Sequence, residues 1–123
     1  MHLYIKEIKE KGRAVFCDEA IAKGMEIEVC PVIVCPNEDR VHIDKTYLYN
    51  YYFNWNDDQK ATAIALGFGS LYNHAYEPNA IYECYFEEQI IKIIANEDIP
   101  AHTEITISYN YDIEDKTKVW FDK

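Results

Sequence analysis

Apolar and polar positions alternate along much of this chain, and the alternation predicts short strands. Leu3 to Ile8 reads as a first strand, with Leu3, Ile5 and Ile8 on the inner side. Lys11-Gly12-Arg13 is a turn, and Ala14 to Cys17 a second strand. Asp18 to Lys23 forms a loop or single turn closed by Gly24, whose missing Cβ suits a tight turn. Met25-Glu26-Ile27-Glu28-Val29 alternates again. Pro31 and Pro36 bracket Val32 to Cys35 as a separate buried or edge strand. Asn37 to Asp44 is polar and reads as a loop. Tyr47-Leu48-Tyr49 suggests a strand, and the pattern then breaks at Tyr51-Tyr52-Phe53. Asn56-Asp57-Asp58 supplies helix-capping residues ahead of Gln59 to Leu66, so a short helix ended by Gly67 is expected. Ala80 to Phe86 and Ile90 to Ala95 make a hairpin across Glu87-Glu88-Gln89. Glu104 to Tyr109 is the final strand. Many short strands, turn signals between them and little helix predict a mainly β fold in a single domain.

Composition narrows the class. Half of the 123 residues are hydrophobic, with eleven tyrosines, so a disordered chain is excluded. No apolar run approaches the ~18 residues of a membrane span. The first residues carry charge where a signal peptide needs an apolar core, so a cytoplasmic location is expected, or a nuclear one for a viral or eukaryotic protein. Cys17, Cys30, Cys35 and Cys84 make no Cys-x-x-Cys pair, and the four histidines are scattered; free thiols and no metal site are expected. With 22 acidic and 12 basic residues the net charge is −10. Such a surface repels nucleic-acid phosphates and attracts basic protein segments, although acidity also serves solubility.

The chemistry concentrates around Gly67 to Asn79 (Gly-Phe-Gly-Ser-Leu-Tyr-Asn-His-Ala-Tyr-Glu-Pro-Asn). Here a polar Asn73-His74 pair sits between a glycine turn and the Pro78-Asn79 turn. The pair reads either as a binding loop or as turn residues bonded to local backbone. Six aromatic residues between Tyr47 and Trp55 are either a packing segment or a wall facing a ligand.

Taken together, Asn73-His74-Ala75-Tyr76-Glu77-Pro78-Asn79 and, about 25 residues on, Glu104 to Tyr109 resemble the two signature motifs of SET-domain protein-lysine methyltransferases. Gly12-Arg13-Ala14-Val15-Phe16 stands where that family has Gly-x-Gly-Val-Phe, and the turn at Lys23-Gly24 also matches. The likeness runs from Ile5 to Tyr111 and is strongest to the minimal SET proteins of bacteria and large viruses.

The resemblance implies a fold of small curved sheets in which the C-terminal strand threads under a loop as a pseudoknot around Asn73-His74. It implies S-adenosylmethionine as cofactor on one face, a target lysine entering from the other, and a channel between them near Tyr109. Tyr109 is then the catalytic tyrosine. Gly12, Arg13, Ala14, Tyr72, Asn73, His74 and Tyr111 are expected at the cofactor, with Trp120 an alternative to Tyr111 for stacking on the adenine. Tyr47, Tyr52 and Ile107 are expected at the substrate. The implied partner is an extended basic segment of a histone, histone-like or ribosomal protein, added as a strand; a homodimer is also compatible. Ala14 replaces the second glycine of the first motif, and a methyl group there demands negative φ. His102 takes a turn position usually held by glycine, and Thr103 that of a glutamate. No cysteine cluster follows Tyr109. A non-catalytic SET-fold module binding a basic partner is the rival reading. A third, an unrelated β domain, requires the Asn73 loop and Tyr109 to lie far apart.

Overall fold

A computed structural model describes residues 1–109. Strand β1 (Leu3–Ile8) pairs antiparallel with β2 (Gly12–Cys17) through the tight turn that Gly12 makes at φ +81°. The long strand β3 (Glu26–Cys35) runs straight through Pro31 instead of stopping there. The reason lies in its partners. Glu26 to Pro31 pair with one neighbour, while Val32 to Cys35 pair with another on the opposite side. Pro31 sits where the ladder changes sides, and a missing donor is tolerated at such a point.

Residues 37–44, read as a loop, contain a 3-10 turn at Asn37–Asp39 and a single helical turn, α1 (Arg40–Ile43). Tyr47–Asn50 is a 3-10 turn and not a strand, held at its start by Thr46 Oγ1, which accepts from the Leu48 N–H at 3.2 Å. Strand β4 (Tyr52–Trp55) follows.

The expected helix over 59–66 is absent; Ala61–Ala65 is strand β5. Helix propensity is worth only tenths of a kcal/mol per residue, and cross-strand pairing overrides it. Here β5 is zipped to β4 on one side and β3 on the other. Asn56 and Gln59, both at positive φ, interrupt the chain just where the helix would begin. Ala61, Ala63 and Ala65 are all buried in the core that also holds Trp55, the ladder partner of Ala61.

A short 3-10 turn (Gly69–Leu71) leads into β6 (Asn73–His74). The expected hairpin forms from β7 (Ala80–Tyr85), which ends one residue before Phe86, and β8 (Ile90–Ala95). Strand β9 (Glu104–Ile107) ends two residues earlier than expected. His102 indeed takes positive φ, +61°, ahead of β9, and its Nδ1 is 2.7 Å from the Tyr4 hydroxyl.

Two curved sheets result, in the orders β1-β2-β9-β6 and β4-β5-β3-β8-β7. Between them lies one core in which Val15, Ile21, Trp55, Ile91, Ile93 and Ile107 are almost wholly buried. No helix among the described residues is long and apolar enough to cross a membrane. Truncating the fully buried Ile93 to Ala is expected to cost about 2–5 kcal/mol in urea unfolding, from lost transfer energy plus a cavity. Ile33→Ala, on the outer face at 54 % exposure, is expected to change stability by less than about 0.5 kcal/mol.

Candidate active site

The site is made where β6 runs parallel to β9, with Asn73 opposite Thr106 and His74 opposite Ile107. This pairing joins the two polar motifs, 31 residues apart for Asn73 and Glu104. Three side chains fasten it. Asn73 Nδ2 donates to Glu104 Oε2 at 2.9 Å and to the Arg13 carbonyl at 3.0 Å. Asn79 Nδ2 donates to the Glu104 carbonyl at 2.8 Å, and its Oδ1 accepts from the Thr106 N–H at 2.9 Å. The Tyr109 N–H donates to His74 Nδ1 at 2.8 Å. Asn73 and His74 are therefore bonded to backbone, but across the fold and not within their own turn.

Tyr109 and the Asn73 loop are in direct contact, so the reading as an unrelated β domain falls. The Tyr109 hydroxyl donates to the Tyr72 carbonyl at 2.7 Å. Burial, reinforced by the Tyr51 phenol and the Glu104 carboxylate, pushes the Tyr109 phenol up to about 12. It is a neutral hydrogen-bonding group at any physiological pH.

Two cavities meet at Tyr109. The larger, of about 320 Å³, is lined mainly by aromatic and neutral polar residues, among them Tyr52, Tyr72, Tyr82 and Phe86, together with Ile107. The smaller, of about 260 Å³, is lined by Gly12, Arg13, Asn73 and Tyr47 together with Glu7 and Lys11. Tyr51, Ser70 and Tyr109 belong to both walls. The residues expected to act as two groups are thus divided differently. Tyr47 stands with Gly12, Arg13 and Asn73, while Tyr52 and Ile107 stand on the other side. Tyr72 is on the larger cavity's wall. Ala14 is buried in β2 at negative φ, and neither it nor His74 lines these two cavities. Tyr111 and Trp120 lie outside the described residues.

Several residues of the site carry no pattern that could single them out. Arg40, in α1, donates to the carbonyls of Gln59, Lys60 and Ala61, to Asn54 Oδ1 and to the Tyr52 hydroxyl. The Tyr52 hydroxyl in turn donates to Asp44 at 2.6 Å. These contacts hold Tyr52 against the larger cavity with its hydroxyl already engaged. Glu28 reaches from β3 to the segment before Asn73, where its carboxylate accepts from the Tyr72 hydroxyl at 2.7 Å and the Phe68 N–H at 2.9 Å. Burial first, and this carboxylate second, push the Tyr72 phenol far above its usual range.

The SET domain profile matches residues 12–110, and the chain belongs to the SET-domain family. It is 32 % identical over 108 residues to the Schizosaccharomyces pombe "Histone-lysine N-methyltransferase, H3 lysine-37 specific", covering 87 % of this chain and 72 % of that one. It is 29 % identical over 127 residues to a Plasmodium falciparum protein named as a candidate histone-lysine N-methyltransferase 1; the match covers 96 % of this chain and 2 % of that much longer protein. A crystal structure of a Plasmodium falciparum candidate histone methyltransferase superposes with a TM-score of 0.72 at 30 % identity, covering 89 % of this chain and 94 % of that one.

The raised Tyr109 pKa sets a pH dependence. A phenol raised from about 10 to about 12 favours the neutral form in the fold, so its contribution is complete below about pH 10 and is lost as pH rises through 12. Unfolding free energy is expected to fall between about pH 10 and 11.5, and Tyr109→Phe to flatten that fall by on the order of 1–2 kcal/mol in urea titrations across the range.

Proposed function

We propose that this chain is an S-adenosylmethionine-dependent protein-lysine N-methyltransferase acting on a basic protein segment, with Tyr109 as its catalytic residue. The observation that carries the reading is the meeting of two unlike cavities at one partly buried, neutral tyrosine. Kinship with histone-lysine methyltransferases supports it.

The smaller cavity fits the cofactor. Its wall combines the exposed backbone of Gly12 and Arg13 with cationic Arg13 and Lys11, anionic Glu7 and polar Asn73. That mixture of charges suits an amino-acid moiety bearing both an ammonium and a carboxylate. Gly12 at positive φ, with nothing within 4 Å of where a Cβ would stand, leaves the backbone open to close approach. S-adenosylmethionine, when bound, supplies an electrophilic methyl group on a sulfonium.

The chain's own residues orient the acceptor. A lysine in water is almost wholly protonated, with a pKa of about 10.4. Loss of water around the side chain in the larger cavity, with the cationic Arg40 on its wall and a sulfonium at the junction, would lower that pKa, so the proton can be shed to water without a dedicated base. Arg40 is the charged residue of that wall, and each of its three guanidinium nitrogens donates to a protein acceptor. The Tyr109 hydroxyl, donating to the Tyr72 carbonyl, presents its oxygen lone pairs to the junction and there orients the amine. Alignment of this kind supplies a large part of such a rate. Net charge −10 draws a basic substrate toward the surface.

The test is transfer of radiolabelled methyl from S-adenosylmethionine to histones, histone-like and ribosomal proteins. Wild-type protein is expected to label a lysine, and Tyr109→Phe to lose about 100-fold or more of the turnover with little change in cofactor binding by calorimetry. Folded protein that neither binds the cofactor nor transfers methyl would instead mark a non-catalytic module.

A further inference from the structure

We infer that Glu28 is a positioning residue for methyl transfer, fixing the Tyr72 peptide carbonyl that holds the Tyr109 hydroxyl. The inference rests on the function proposed above.

Alternation along Met25 to Val29 puts Glu28 on the same side as Glu26, facing solvent. A bulge in β3 between Glu26 and Glu28 changes the phase. Ile27 is buried, Glu28 is half-buried and Val29 is exposed, so the bulge turns the carboxylate inward, opposite the buried Ile93. Bulges that re-aim one side chain are common beside active sites.

Both oxygens of the carboxylate are used. Oε2 accepts from the Phe68 N–H and Oε1 from the Tyr72 hydroxyl. Glu28 therefore grips the segment Phe68–Tyr72 at its two ends, from the other sheet. That segment contributes Ser70 to the wall shared by both cavities and the Tyr72 carbonyl to the Tyr109 hydroxyl, which donates to it at 2.7 Å. Bonds to a charged acceptor are about twice as strong as neutral ones, which suits a clamp. The space it occupies is kept free by Gly67: with φ +68°, a Cβ there would run into Glu28 Oε2. Tyr72 is 1 % exposed, so its ring has no freedom to drift while its hydroxyl stays bonded. The path from the Glu28 carboxylate to the Tyr72 phenol, its peptide and the Tyr109 hydroxyl is thus continuous and short. Glu28 touches none of the reacting atoms.

The experiment uses the full chain, with kinetics and tyrosine NMR side by side. Glu28→Ala is expected to lower kcat about tenfold or more with KM for the protein substrate changed less than about twofold, and Glu28→Gln, which keeps one acceptor for the Tyr72 hydroxyl, to recover part of the loss. In a Tyr109→Phe background, Glu28→Ala is expected to change the residual rate less than about twofold, because the hydroxyl it positions is gone. Should Glu28→Ala fail to fold, Glu28→Gln and Tyr72→Phe carry the same comparisons. Chain labelled at the tyrosine ring carbon bearing the hydroxyl reads the Tyr109 environment without any turnover, and its signal is expected to move in Glu28→Ala, Glu28→Gln and Tyr72→Phe. An unchanged kcat, an equal loss in the Tyr109→Phe background, or an unmoved Tyr109 signal would overturn the inference. Absence of methyl transfer by wild type, with the Tyr109 signal still moving in Glu28→Gln, would sink the functional proposal and leave the positioning contact standing.

Discussion

The parallel pairing of β6 with β9 is the constraint on which the molecule depends. It is only two residues long, and a parallel ladder of that length has little strength of its own. Its persistence comes from side chains that do the work of missing strand. Asn79 supplies both a donor and an acceptor to β9, Asn73 bridges β9 and β2, and His74 receives the Tyr109 N–H. The long excursion through β7 and β8 between the two strands is packed into the other sheet, so the ends of the crossover cannot drift. Everything chemically interesting hangs from this junction: the partly buried Tyr109, the carbonyl it bonds and the two cavities it separates.

The electrostatics divide along the same line. On the side of Gly12 and Arg13, charges of both signs face the cavity; on the side of Tyr52 and Ile107 the wall is aromatic, with its cation and its nearest hydroxyl already paired. Tyr109 stands between as a phenol that stays neutral because burial and its acidic neighbour oppose ionisation. The strained turn at Asn56 and Gln59 and the single helical turn at Arg40 are explained by the same need. They hold the aromatic wall up, with Arg40 bonded to three consecutive carbonyls of the turn.

Local patterns serve well for β1 and β8, whose bounds are as expected, and for β7, which ends one residue early. They fail where neighbours on both sides decide the conformation. Ala61 to Ala65 looks helical by composition and is a strand because β3 and β4 flank it. Pro31 looks like a stop and is a crossing point between partners. Glu28 looks like a solvent residue and is turned inward by a bulge. In each case the deciding energy is a hydrogen-bond ladder or a packing contact with residues far off in sequence, which no local window contains.

By itself the sequence determined the class of fold, the order of most strands, and two polar motifs whose residue types and spacing mark the SET family. Those features are written in local alternation, in turn chemistry and in residues that have to be what they are. Only the tertiary structure decided which residues share a cavity, since Tyr47 and Tyr52 are near in sequence yet stand on opposite sides of Tyr109. It alone decided that Asn73 and Asn79 act chiefly as fasteners of β9, and that Glu28 and Arg40 support the site. The physical reason is the curvature of the sheets. Their twist brings edges and loops from distant parts of the chain around one tyrosine, and the sequence bears no local mark of where a curved surface closes.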